Sequence, residues 1–82
     1  MQSDLTLHDL GRGESGQICR VDPDGAVYRR LLDLGFTRGA GIRRLFSAYA
    51  GDPTVYWIRE TAIALRKEQA RTIHIIRARG ED

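Results

Sequence analysis

Gly51-Asp52-Pro53-Thr54-Val55-Tyr56-Trp57-Ile58-Arg59-Glu60-Thr61-Ala62-Ile63-Ala64-Leu65 sets two β-forming runs on either side of a short connection. Thr54 to Arg59 is dense in β-branched and aromatic residues, the types that suit a pleated, half-buried surface. Pro53 cannot donate to a ladder, so strand pairing pauses at Gly51-Asp52-Pro53 and resumes beyond it. Glu60-Thr61 connects this run to Ala62-Ile63-Ala64-Leu65, with Ile63 and Leu65 on one face. Tyr56 and Trp57 are adjacent, so a regular strand must turn one of them outward.

Outward from this hairpin the chain keeps the same short period. Ile42 to Ala50 reads as a strand of imperfect alternation. Gln17-Ile18-Cys19-Arg20-Val21 alternates, with Ile18 and Arg20 on one face and Cys19 and Val21 on the other. Leu5-Thr6-Leu7 is a candidate opening strand, with His8-Asp9-Leu10 as a turn, and Ile73-His74-Ile75-Ile76 is the last strand. One helix interrupts them, over about residues 25–34. Val27, Leu31 and Leu34 recur at helical spacing, Arg29, Arg30 and Asp33 take the wet side, and Asp24 is placed to cap the start. Gly35 stands where a helix needs a left-handed terminal residue. Lys67 to Thr72 fits a single helical turn. The expected fold is mainly β: a small barrel of five to six short strands with one main helix, closed because closure removes exposed edges.

Composition bounds the function. The 82 residues fit one domain, with a core over about 5–77 and a loose tail at 78–82. Hydrophobic residues make up 41% and charged residues 29%, a globular balance. No apolar run approaches the roughly 18 residues of a membrane span. Met1-Gln2-Ser3-Asp4 lacks the basic start of a secretory signal, so the expectation is a soluble cytoplasmic domain without membrane insertion. The net charge is +2, and all but one of the basic residues are arginine. The pI near 9.1 permits an acidic partner or nucleic acid without demanding one. The single cysteine, Cys19, excludes an internal disulfide and a multi-cysteine zinc site.

Few residues suggest chemistry. Gly11-Arg12-Gly13-Glu14-Ser15-Gly16 matches G-x-G-x-x-G, but that fingerprint needs a strand before it and a helix directly after it. Here a strand follows, so the run reads as a tight surface turn. His8 and His74 lie at no metal spacing from each other or from Cys19, and Cys19 reads as a small core residue. No nucleophile, base and orienting group recommend themselves, so the chain reads as no enzyme, with no catalytic, cofactor or metal residues. Phe46, Tyr49, Tyr56 and Trp57, with Arg43, Arg44 and Arg59, would suit single-stranded nucleic acid if they shared a surface. The plainer reading is that half of these aromatics fill the core.

The order of residues resembles a known family. Leu31-Leu32-Asp33-Leu34-Gly35-Phe36, then Gly39 and Gly41, then Ala50-Gly51-Asp52-Pro53, then Ala64-Leu65-Arg66 ahead of Gln69-Ala70 and Ile73 looks like the FeoA family of ferrous iron transport proteins. The pattern runs from Leu5 to about Ile76. Departures from it are Tyr49 before Ala50, Thr54 opening the strand, Glu60-Thr61 where many members carry glycine, and the basic pair Arg43-Arg44.

The resemblance implies an SH3-like β-barrel and a cytoplasmic accessory to FeoB, a ferrous iron transporter with a cytosolic G-protein domain. It implies action by protein–protein contact rather than catalysis. Two surfaces are candidates for that contact: the wet edge of the helix, with Arg29, Arg30 and Asp33, and the 49–57 hairpin, with Tyr49 and Trp57. Self-association into a homo-oligomer through edge strands is a further expectation. The alternatives are a nucleic-acid-binding barrel, which the plainer reading of the aromatics disfavours, and a metal-sensing module, for which the sequence offers no ligand cluster.

Overall fold

The computed structural model describes residues 5–78, the Tyr49 side chain excepted. Five strands, β1 (Ser15–Val21), β2 (Gly41–Ser47), β3 (Thr54–Ile58), β4 (Thr61–Leu65) and β5 (Ile73–Arg77), carry the fold. They form one antiparallel sheet in the order β4-β3-β2-β1-β5, a four-strand meander with β5 returning beside β1. Helix α1 (Tyr28–Asp33) lies between β1 and β2, and the single turn α2 (Lys67–Ala70) lies between β4 and β5. The expectation of 67–72 for that turn is met within two residues.

The core sits on the inner face of the sheet. Ile18, Ile42, Tyr56, Ile58, Leu65, Ile73 and Ile75 come from the strands, Leu7 and Leu10 from the opening segment, and Leu31 and Phe36 from α1 and its exit. Leu34 and Ile63 pack against this cluster partly buried. The exit of α1 is built by Gly35, whose φ of 107° lets the chain reverse. Gly35 N then donates to Leu32 O and Phe36 N to Leu31 O, both at 3.0 Å, which is the Schellman pattern. That pattern drops Phe36 into the core with no exposed surface. Truncating such a residue to alanine costs about 3–5 kcal/mol.

Four local expectations are corrected. The helix begins at Tyr28, not at 25, and no aspartate side chain caps it. Asp22 accepts instead from Arg20 Nη1 at 2.8 Å and meets His74 Nε2 at 2.9 Å, and residues 22–28 coil as successive turns. The opening segment is a single bridge, Thr6 with His74, followed by a 3-10 turn at Leu7–Asp9. In β1 the pairing with β5 slips between Ile18 and Arg20, leaving Cys19 as the extra residue. That bulge shifts the alternation, so Ile18 and Val21 are both buried while Cys19 is only half-buried and outside the core cluster. Finally, among the described residues no ladder joins β4 to β5. The outer edge of β5 is taken by the opening segment, with Ile75 N donating to Leu5 O at 3.0 Å.

The pairing of β1 extends to Ala78, whose N–H donates to Ser15 O at 2.8 Å. The rest of the expected tail, 79–82, lies outside the described residues. Among the described residues no helix is long and apolar enough to cross a membrane.

Candidate functional site: the outer face of the sheet

The face of the sheet away from the core is assembled by register. Trp57 stands between Ala62 of β4 and Arg43 of β2, and Arg43 in turn faces Ser15 of β1. Val55 stands between Ala64 and Phe46, and Gln17 between Gly41 and Ile76. Cross-strand neighbours point to the same side, so these three rows form one surface. It carries three large exposed apolar side chains, Phe46 at 53%, Trp57 at 46% and Ile76 at 54%. None of the residues in these rows is acidic. The Arg43 side chain is exposed and has no hydrogen-bond or ion-pair partner among the described residues.

Phe46 reaches this face through a second bulge. The register of β2 on β3 shifts between Arg44 and Phe46, so Phe46 lies opposite Val55 rather than Thr54. A shallow groove crosses the face between Trp57 and Ile76. Its floor is glycine: Ser15, Gly16, Gly41 and Ile42 lie beside Trp57 and Arg43, and the groove continues past Gln17 to Ile76 and Arg77. The two glycines differ. A Cβ on Gly16 would meet Ile76 O at 2.7 Å, so close strand approach requires glycine there. A Cβ on Gly41 would meet nothing within 4 Å, so that position is open without any backbone need.

The sequence-stated candidates separate. Tyr56 is the inward aromatic, 2% exposed, with its hydroxyl donating to Leu7 O at 3.3 Å. Burial pushes its phenol above the ordinary value. Trp57 is the outward one. The side chain of Tyr49 lies outside the described residues. Arg29, Arg30 and Asp33 are exposed on α1, whose Leu31 enters the core, and so belong to a different layer from Trp57. The arginines offered for nucleic acid separate as well. Arg44 donates to Leu10 O at 2.6 Å and to Ser47 Oγ at 2.8 Å. Arg59 donates to Thr37 Oγ1 at 2.9 Å and to Gly35 O at 3.4 Å. Of that trio only the Arg43 side chain is unengaged among the described residues.

The glycine-rich run is a self-closed turn. Gly11 N donates to Glu14 Oε1 at 2.7 Å and Gly13 N to Arg44 O at 2.9 Å. The Glu14 carboxylate thus occupies the amide that a phosphate would need. That backbone bond, with Arg77 and Arg44 nearby, holds Glu14 below the ordinary carboxylate range. Among the described residues no three His, Cys, Asp or Glu side chains converge as metal ligands.

Ile76 was not singled out by the sequence reading, although its signal is that of the Tyr56-Trp57 pair. Ile75 and Ile76 are adjacent on one strand, so one of them must face out. Gly41 gave no signal, because only the absence of any atom around it shows that it opens a groove.

Comparison with known proteins identifies the lineage. Residues 5–77 match the FeoA domain. The chain belongs to the FeoA family. A relative in Porphyromonas gingivalis, an Fe(2+) transport protein A/Fe(2+) transporter FeoB fusion protein, is 32% identical over 71 residues. The match takes in 87% of this chain but only 8% of that much longer protein. The solution structure of the FeoA protein of Chlorobium tepidum is 31% identical and superposes with a TM-score of 0.84, over 95% of this chain and 74% of that one. The crystal structure of Stenotrophomonas maltophilia FeoA, a zinc complex described as a prokaryotic SH3-domain protein, is 28% identical with a TM-score of 0.79. It covers 88% of this chain and 89% of that one. The fold is therefore the SH3-like barrel of FeoA domains, a family associated with ferrous iron transport.

Proposed function

We propose that this FeoA-family chain is a non-catalytic, cytoplasmic accessory of ferrous iron uptake that binds a FeoB-type transporter through the outer face of its sheet. The observation that carries this reading is the Porphyromonas gingivalis protein, in which a segment like this one is fused to the transporter in a single polypeptide. Fusion supports association, since two parts of one chain are held at high effective concentration.

The outer face supplies the chemistry of a contact. Trp57 and Phe46 are the aromatic anchors typical of interface centres, and the glycine-floored groove between Trp57 and Ile76 admits an apolar side chain. Arg43, which has no side-chain partner among the described residues and stands beside Trp57, favours a partner segment with a carboxylate next to that apolar group. The helix edge of Arg29, Arg30 and Asp33 has charge but no comparable apolar centre. The nucleic-acid alternative loses support because the guanidinium groups of Arg44 and Arg59 are already engaged by other groups of this chain. Binding would act on transport by favouring one conformation of the transporter, which requires different affinities for its states.

The test is a calorimetric titration of this chain with the transporter's cytosolic domain, with each guanine nucleotide. Trp57→Ala is expected to weaken binding at least about tenfold, the effect of removing a hot-spot aromatic. Arg29→Glu with Arg30→Glu is expected to change it only a few-fold. The opposite ranking would move the contact to α1, and absence of binding under all conditions would refute the reading.

A further inference from the structure

Among the described residues, no strand pairs with the outer edge of β4. Thr61–Leu65 carries no charge, proline or bulge, the devices that keep edges from pairing, and Thr61, Ala62 and Ala64 are exposed. The turn before it determines which backbone groups are free. Arg59 and Glu60 both have positive φ, 51° and 63°, the geometry of a two-residue type I′ hairpin. In such a hairpin the flanking pair, Ile58 and Thr61, exchanges both hydrogen bonds. By alternation Tyr56–Ile63 and Thr54–Leu65 do so as well. Thr61, Ile63 and Leu65 therefore turn their N–H and C=O toward β3. Ala62 and Ala64 turn theirs to the open edge.

The sequence across that edge is self-complementary. Ala62-Ile63-Ala64 reads the same in both directions. We infer that a second copy of this chain pairs antiparallel with β4, about a two-fold axis through Ile63. Ala62 of one copy then exchanges both hydrogen bonds with the partner's Ala64, and Ala64 does so with the partner's Ala62, so no edge-facing group of the segment is left over. Ile63 meets the partner's Ile63 in a non-hydrogen-bonded pair, where Cα atoms approach to about 4.5 Å and side chains are closest. Ile63 is half-buried in the single chain, so this contact covers the rest of it. The small methyls of Ala62 and Ala64 put no bulk in the way. An isologous pair repeats each contact about its axis, so the small residues that clear the way in one copy clear it in the other. The contact is small, so association belongs in the weak range, between about 10 µM and 1 mM.

Sedimentation equilibrium of the full chain over that range tests this, together with amide hydrogen exchange at Ala62 and Ala64. The mass is expected to rise toward twice 9.2 kDa, with exchange at those two amides slowing several-fold at the upper concentration. Ala62→Lys with Ala64→Lys places like charges opposite each other, and Ala62→Glu with Ala64→Glu does the same. Each double variant is expected to be monomeric, and an equimolar mixture of the two to associate again. Both positions are exposed, so these variants keep the fold, which circular dichroism checks. A wild-type chain monomeric at 1 mM overturns the inference. So does a dimer that survives the lysine pair, because another surface then holds it. Protection of the two amides only on adding the transporter domain would also overturn it, giving the edge to a strand of the partner. Transporter binding lost in Trp57→Ala leaves this inference untouched, so the two can fail separately.

Discussion

Glu60 sits at a φ of 63°, in the left-handed region that side-chain-bearing residues avoid, and Arg59 beside it is at 51°. Arg59 is compensated, since its guanidinium reaches Thr37 Oγ1 and Gly35 O and ties the β3–β4 turn to the exit of α1. Glu60 has no such bond among the described residues, so Glu60→Gly is expected to raise stability by about 0.5–1 kcal/mol in urea unfolding. Tyr56 offers a second test at this scale. Burial raises its folded-state pKa above the ordinary 10.0, so its neutral form is the one the fold favours. That contribution is complete below the unfolded value and is lost as pH rises through the raised folded value. The wild-type chain should therefore lose stability in strongly alkaline solution, and Tyr56→Phe should flatten that loss while costing about 0.5–1.5 kcal/mol at neutral pH for the hydroxyl bond to Leu7 O. The sequence announced that one of Tyr56 and Trp57 faces out. It could not say which, because that depends on where the register of β3 is pinned by its neighbours.

Among the elements, the strands and the exit of α1 were legible because their signals are local. A run of β-formers, a proline and a glycine at the right offset act through neighbours in the chain. What the sequence reading missed depends on distant partners. Asp24 has no helix start to cap because the chain coils through turns after Asp22, which Arg20 and His74 of β5 hold, and α1 begins only at Tyr28. Cys19 left the core because β1 bulges against β5, and Phe46 came to lie opposite Val55 because β2 bulges against β3. The groove was hidden for the same reason, since Gly41 matters only through what does not surround it. Gly41→Leu should fill that space between Trp57 and Ile76. A leucine suits a strand better than glycine, so thermal stability should be unchanged or higher. Transporter binding should nonetheless fall at least about tenfold, because the anchor's cleft is blocked. Retained binding in a folded Gly41→Leu chain would move the contact off the groove.

On the scale of the whole molecule, an SH3-like barrel of 82 residues presents one sheet face to its core and the other to solvent. The outer face keeps Trp57, Phe46 and Ile76 exposed, with Arg43 unpaired among the described residues, and the family links such domains to ferrous iron transport. This is the face proposed above to meet the transporter. Trp57 is the chain's one tryptophan, so a probe placed on tryptophan reports that face alone. The most direct measurement is the fluorine NMR spectrum of this chain carrying 5-fluorotryptophan, recorded while the unlabelled cytosolic domain of the transporter is added. A saturable shift or broadening of that single resonance is expected, with the same affinity that calorimetry finds. A resonance that stays unmoved while calorimetry shows the domain bound would contradict the proposed contact, because the contact would then lie elsewhere on the chain.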